Sequence, residues 1–362
     1  MKGARTAIAL ALALGALSAC APKRGAAFDS SLADARNAYH DGRFDAAAAR
    51  FEEAGATAKL PRDAVYARYE AALAWARAGD VARAASELRA IATAKPPNPY
   101  SAQAAYKAAE LARANDEAAG LRELEGVVVD FPQAGVAQVS LAHLLQHDDD
   151  AGPEAGLAHL ERLAPRVKGT RVEEKVFYER AKRLEAVSPA RTEAARDAFV
   201  EVANKWPYPF GALFDNALYR AAQIEEKLGH PKEAIALLER LLSQREVAGF
   251  MGSYERPQYV PAIQLIAQIY EKTGDRAKAR ATLHRLYTDF ETSPHRAEAL
   301  WREAELWRKD GDESTACARL STLATDFPDS RYVPCASLKC PAIKRPSKSK
   351  APTTCHEYLV RS

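Results

Sequence analysis

Five cysteines carry most of the reactive chemistry open to this chain: Cys20 near the N-terminus, and Cys317, Cys335, Cys340 and Cys355 towards the C-terminus. In an oxidising compartment the last four can form disulfides, and four cysteines allow three pairings between which spacing cannot choose. A bridge from Cys317 into the C-terminal segment would staple that segment over the helix carrying Cys317. The competing arrangement keeps Cys317 as a buried thiol and closes one bridge within the segment. Cys335, Cys340, Cys355 and His356 could instead ligate zinc, but the reading adopted is that no metal is bound. His147-Asp148-Asp149-Asp150 sets an imidazole beside three carboxylates, which suits a cation. It suits a solvated turn equally, with the acids facing the positive N-terminus of the next helix, and that reading is preferred. A phosphate-binding glycine loop, a His-Glu-x-x-His helix and a Gly-x-Ser-x-Gly elbow are all missing from the sequence. These residues therefore describe a protein that is not an enzyme and needs no cofactor.

Cys20 belongs to a different pattern. Lys2 and Arg5 precede an apolar run, Ala7 to Leu17, that is shorter than the roughly 20 residues a membrane-spanning helix requires. Such a run reads as an export signal and stands outside the fold. Leu17-Ser18-Ala19-Cys20 follows directly and resembles the lipobox of bacterial lipoproteins. The resemblance implies cleavage before Cys20, so that residues 1–19 are the signal and residues 20–30 a lipidated tether. It also implies acylation of the Cys20 thiol and of its new amine. Each buried acyl methylene contributes about 0.8 kcal/mol, so several chains make a durable anchor. Ala21, in place of an aspartate, implies the outer membrane, with the protein facing the periplasm.

The charge balance excludes one class of partner. Of 51 basic residues only Lys2 and Arg5 precede Cys20, which leaves 49 against 48 acidic residues. A chain so near neutrality offers no electrostatic case for nucleic acid. Abundant alanine among strong helix formers, with few β-branched runs, favours helices.

The elements that position everything else come from a repeat of 36 to 45 residues. Gly42-x-Phe44-x-x-Ala47-x-x-x-Phe51-x-x-Ala54 recurs at Gly79, Ala84, Leu88 and Ile91, and at Gly229, Ala234, Leu238 and Leu241. It recurs again at Gly274, Ala279, Leu283 and Leu286, and at Gly311, Ala316, Leu320 and Leu323. Weaker units run through Asn115, Leu124 and Val127, through Gly156, Leu160 and Leu163, and through Ala195, Phe199 and Val202. A glycine or asparagine would close helix A in a left-handed turn. The small residue would let helix B approach, and the large residue four places on would fill the space between hairpins. Thr170-Arg171-Val172-Glu173 reads as a capping box. Phe51, Phe199 and Leu238 should be core.

This pattern resembles the tetratricopeptide repeat family, over about residues 31–330. Asp130-Phe131-Pro132, returning as Asp326-Phe327-Pro328, is similar to phrases in envelope tetratricopeptide proteins of the β-barrel assembly and Tol–Pal systems. The resemblance implies an all-α, right-handed α-solenoid of about eight helix hairpins over residues 31–333, followed by a flexible tail, 334–362. In that family the A helices line a concave groove that binds envelope proteins or peptides. Carried over in frame, the groove residues are Tyr66, Tyr69, Asn216, Tyr219, Gln223, Gln264, Gln268, Trp301 and Glu305, aromatics and amides suited to an extended peptide. The insertion Gln244–Gln258, with Phe250 and Met251, is a candidate contact loop. The tail carries six basic residues against one acid and could touch anionic lipid or peptidoglycan.

The function these features imply is a lipid-anchored adaptor in outer-membrane protein assembly, cell division or motility. The alternative is a peptidoglycan-associated structural protein or an accessory factor in cell-wall turnover. Replacing Cys20 by Ser should abolish incorporation of labelled palmitate and move the protein from the membrane to the soluble fraction. Label retained on the variant would overturn the lipobox reading.

Overall fold

The computed structural model describes residues 24–244, 247–248, 252–253, 256–344, 354–355 and 358–359. The signal segment 1–19, Cys20, the Phe250-Met251 pair, His356 and the lysine-rich stretch 345–353 lie outside the described residues.

Seventeen α-helices occur among the described residues. In chain order they alternate as A and B helices: α1 (Ala26–His40) and α2 (Phe44–Thr57); α3 (Pro61–Ala78) and α4 (Val81–Ala92); α5 (Ser101–Asn115) and α6 (Glu117–Asp130); α7 (Gly135–Ala151) and α8 (Pro153–Leu163). There follow α9 (Glu173–Val187) and α10 (Thr192–Lys205); α11 (Phe214–Lys227) and α12 (Pro231–Leu242); α13 (Tyr259–Lys272) and α14 (Arg276–Asp289); α15 (Arg296–Lys309) and α16 (Glu313–Asp326); and a single α17 (Val333–Lys339). The expected all-α architecture has one exception. Val247–Ala248 and Gly252–Ser253 in the insertion pair as a short antiparallel ribbon.

The chain divides into two compact units, Met1–Gly152 with Pro165–Glu173, and Pro153–Ala164 with Glu174–Ser362. In the first, each helix from α1 to α7 packs on the next, and α5 also touches α7. Phe28, Leu32 and Phe51 fill its first core among alanines, and Tyr69, Leu88 and Ile91 fill a second. In the other unit α10 to α17 pack in the same serial way. There Phe199, Leu218, Leu238, Tyr259 and Ile263 anchor one large core. The three residues expected in the core, Phe51, Phe199 and Leu238, are all buried.

The local chemistry explains the turns. Gly229 and Gly311 take φ of 81° and 82° between their helices, a region where a Cβ is disfavoured. Aspartates then cap several B helices: Asp80, Asp275 and Asp312 accept from the backbone N–H three residues on. Such a cap is worth about 1 kcal/mol. The third pair corrects the expectation for Asn115, which is the last residue of α5 and not left-handed. Asp116 makes that turn in an extended conformation and caps α6 through Ala119 N–H. The shorter connection draws the helices so close that a Cβ on Gly120 would lie 2.4 Å from Arg113 Cα.

Other expectations fail for similarly local reasons. His147 to Asp150 form the last turn of α7 and do not precede α8 as a cap, because the left-handed break comes later, at Gly152 (φ 107°). Thr170 does not close a capping box. Its hydroxyl donates back to Val167 O, while Glu173 is the first helical residue and accepts from Gly169 N–H. Helix α1 begins ahead of residue 31. Residues 333–339 are helical and largely buried where composition suggests the start of a loose tail. Pro334 sits in the first turn of α17, where a missing N–H leaves nothing unsatisfied.

Glu179 of α9 is buried and takes Lys175 at 2.8 Å, Lys182 at 3.0 Å and Arg183. Burial alone would raise its pKa, but the lysine hydrogen bonds win and hold it at about 2, below the usual 4.5. A carboxyl depressed on folding stabilises fully above its unfolded pKa and loses that contribution as pH falls through the folded one. Wild type should therefore lose about 3 kcal/mol relative to Glu179→Gln as pH drops from above 4.5 towards 2. Parallel urea titrations across that window measure it; equal slopes for the two proteins would refute the assignment.

Candidate functional site

Helices α1, α3, α5 and α7, the A helices of the first unit, together with Tyr100 just ahead of α5, carry a series of polar and aromatic side chains. Arg36 Nη2 donates to Tyr66 Oη at 3.1 Å. Tyr66 and Tyr69 both lean on Tyr100, with ring centroids 5.7 and 5.3 Å apart. Arg24, Arg36, Arg62, Asp63, Tyr66, Pro99 and Tyr100 line a hollow of about 420 Å³. Asp63 is the carboxylate among these lining residues, and it is buried against Arg24 at 3.2 Å. Nearby, burial pushes the Glu70 carboxyl upward, against the opposing hydrogen bond from Tyr66. Three guanidinium groups thus line a space with one buried carboxylate, Asp63. The series continues where the Tyr106 hydroxyl donates to Glu110 at 2.9 Å and meets His143 Nε2 at 3.3 Å. Burial and Glu110 together push that hydroxyl up to about 12.

In the second unit the A helices are α9, α11, α13 and α15. Asn216 Oδ1 accepts from Gln258 Nε2 at 2.9 Å, and Gln264 Nε2 reaches Glu298 at 3.5 Å. Gln268 is exposed, and Gln223 and Tyr219 are half-buried. A series of ion pairs links successive A helices near their C-terminal ends. Glu185 meets Lys227 at 3.2 Å, Glu226 meets Lys272, Glu271 meets Lys309 at 3.5 Å, and Glu305 meets Lys339 at 2.7 Å.

The structure separates the sequence-derived groove residues into two groups. Tyr66, Asn216, Tyr219, Gln223, Gln264 and Gln268 keep exposed or half-exposed side chains on A helices. Glu305 is half-exposed too but paired with Lys339, and the other two do not serve as open groove positions. Tyr69 is 9% exposed and stacks on Tyr100, with its hydroxyl pushed up to about 12 by burial. Trp301 is 8% exposed and stacks on Tyr332 at 5.6 Å, while Lys339 of α17 lies over its ring and holds Glu305 with both carboxylate oxygens. The reason in both cases is a ring that fills the space beside the next element. Arg36, Tyr100, Tyr106 and His143 escaped the sequence reading. The recurrence of tyrosine in the A helices of neighbouring units was the available signal.

Other candidate chemistry resolves more simply. Cys317 and Cys340 are joined by a disulfide, with Cα atoms 5.8 Å apart. That removes Cys340 from the zinc set, and among the described residues no group of three or more His, Cys, Asp or Glu side chains could hold a metal. A larger hollow, about 680 Å³, opens between B helices α4 and α6. Its floor is apolar and its rim charges, Arg89 and Glu123, pair with each other at 2.7 Å. No described helix is long and apolar enough to cross a membrane.

These serial helix pairs, with small residues at the crossings and glycine turns, define a repeat protein of the helix-hairpin class. Residues 216–245, 262–293 and 298–330, which span the last three pairs, match the tetratricopeptide repeat model, so that part of the chain carries tetratricopeptide repeats. Among solved structures it is similar to a tetratricopeptide repeat protein from Parabacteroides merdae, at 14% identity over 76% of this chain and 98% of that one, TM-score 0.34. It is also similar to PilW, a type IV pilus biogenesis factor, at 14% identity over 74% of this chain and 94% of that one, TM-score 0.32. A third likeness is MamA from Desulfovibrio magneticus, at 17% identity over 52% of this chain and 95% of that one, TM-score 0.35. No curated protein sequence matches the chain significantly.

Truncation separates packing positions from binding positions. Trp301→Ala should destabilise by about 3–5 kcal/mol, whereas Gln268→Ala should stay within about 0.5 kcal/mol. Chemical denaturation measures both, and a near-neutral Trp301→Ala would return that residue to an open face.

Proposed function

We propose that this chain is a lipid-anchored, non-enzymatic adaptor of the bacterial envelope, which holds partner polypeptides on the A-helix faces of its tetratricopeptide repeats. The observation that carries the reading is the series Arg36, Tyr66, Tyr100, Tyr106 and His143 on and just ahead of the first unit's A helices, beside the Arg-lined hollow. Aromatic rings supply contact area at low entropic cost, and arginines add directional donors, which is the composition of polypeptide hot spots. Exposed amides in the second unit, Gln268 and its half-exposed neighbour Gln264, can hydrogen-bond an extended backbone.

Anchorage in the outer membrane rests on the Leu17-Ser18-Ala19-Cys20 pattern and on Ala21. A disulfide between Cys317 and Cys340 suits an oxidising compartment such as the periplasm. Tethered there, the repeats would gather components of outer-membrane protein assembly, cell division or motility at the membrane surface.

A photo-crosslinking residue at Tyr66 or Gln268 should yield discrete protein adducts in intact cells, and one at Arg122 on B helix α6 should not. Adducts from Arg122 alone would show that the partner uses the other side of the repeats, and the adaptor reading of the A-helix faces would fall.

A further inference from the structure

With Cys317 and Cys340 joined, two cysteines of the C-terminal set remain as thiols, Cys335 and Cys355. They are 20 residues apart and do not point into separate environments. Cys335 lies in the first turns of α17, fully buried with Ala297, Leu300, Leu320 and Tyr332. Cys355 packs against that same cluster, beside Ile343, Tyr358 and Leu359. Its Sγ lies 3.8 Å from the carbonyl oxygen of Cys335 itself.

We propose that Cys335 and Cys355 form a second disulfide, which fastens the C-terminal segment to the end of the last repeat. Two observations carry this independently of the groove. The chain already holds one disulfide within the same packed cluster, so its C-terminal region is built for an oxidising compartment. The two thiols left over also lie close together, since Cys355 Sγ contacts the backbone of Cys335 and both residues pack in one cluster. The resulting pairs, 317–340 and 335–355, interleave. The first ties α16 to the end of α17, and the second ties the start of α17 to the segment beyond it.

The chemistry balances with a disulfide of the glutathione class as oxidant. The Cys355 thiolate, on the more accessible residue, attacks one oxidant sulfur and expels one small thiol. The Cys335 sulfur then attacks Cys355 in the mixed disulfide and expels the second. Two protein S–H bonds and one oxidant S–S bond are lost; one protein S–S bond and two small-molecule S–H bonds are gained. Burial pushes the Cys335 thiol up to about 12, which makes it a poor first nucleophile and leaves Cys355 to start the exchange.

The test is peptide mapping of the full-length protein after equilibration with oxidised glutathione, with free thiols alkylated and digestion carried out without reductant. The expected product links the Cys335 and Cys355 peptides beside the Cys317–Cys340 pair, in a chain lighter than its fully reduced form by the hydrogens of two bridges. Alkylation of both Cys335 and Cys355 with Cys317–Cys340 intact would overturn the proposal. So would Cys355 bridged to Cys317 or Cys340, or glutathione retained on Cys355. In Cys355→Ser the linked peptide should vanish, the Cys317–Cys340 pair should persist, and trypsin should release the residues after Lys344 faster. Release at the wild-type rate would show that the second bridge fastens nothing.

Discussion

Each repeat depends on how close helix B can come to helix A, and that distance is set by one side chain no larger than a methyl group. The positions are Ala47, Ala84, Gly120, Gly156, Ala195, Ala234, Ala279 and Ala316, and all eight are buried. Four residues further along each B helix a Phe or Leu is buried at 2% exposure or less, from Phe51 to Leu320. A larger group at the small position would force the helices apart and strip contacts from the residue below it, which is the overpacking penalty of about 1–3 kcal/mol. Everything outside this pair of positions is freer to vary.

This constraint also explains what was legible in the sequence. The small residue and the large one at fixed spacing are written in residue type, so eight helix pairs and their cores could be read from Ala47 and Phe51 onward. Turn chemistry was legible where glycine supplied it and misread where it did not, because Asp116 closes its turn with a side chain in place of a left-handed residue. The A-helix faces were legible only in part. One residue of helical rotation, about 100°, separates a side chain that faces the groove from one that faces the neighbouring helix. Tyr66 and Tyr69 share a helix three residues apart, a net rotation of about 60°, and differ in exposure. Trp301 was misplaced for another reason: what covers it, α17, is a short helix with a proline in its first turn, lying in a stretch whose composition resembles a tail.

The charged residues play two parts that composition could not distinguish. On the second unit's A helices, acid and base sit side by side, Glu226 before Lys227 and Glu271 before Lys272, so each helix offers opposite charges to its two neighbours. Exposed pairs of this kind contribute little individually, ~0–1 kcal/mol each. In the first unit, by contrast, three arginines gather around a hollow lined by one carboxylate, the buried Asp63. A chain near overall neutrality thus keeps local fields of distinct character.

Helix α17 takes the place that a further A helix would need. Tyr332 covers Trp301, Lys339 neutralises Glu305, and Arg308 reaches the carbonyl of Lys339 at 3.2 Å. The outermost apolar edge of the array is consequently occupied by a segment too short to present an edge of its own. The cover still leaves one large apolar side chain of that helix, Leu338, 51% exposed.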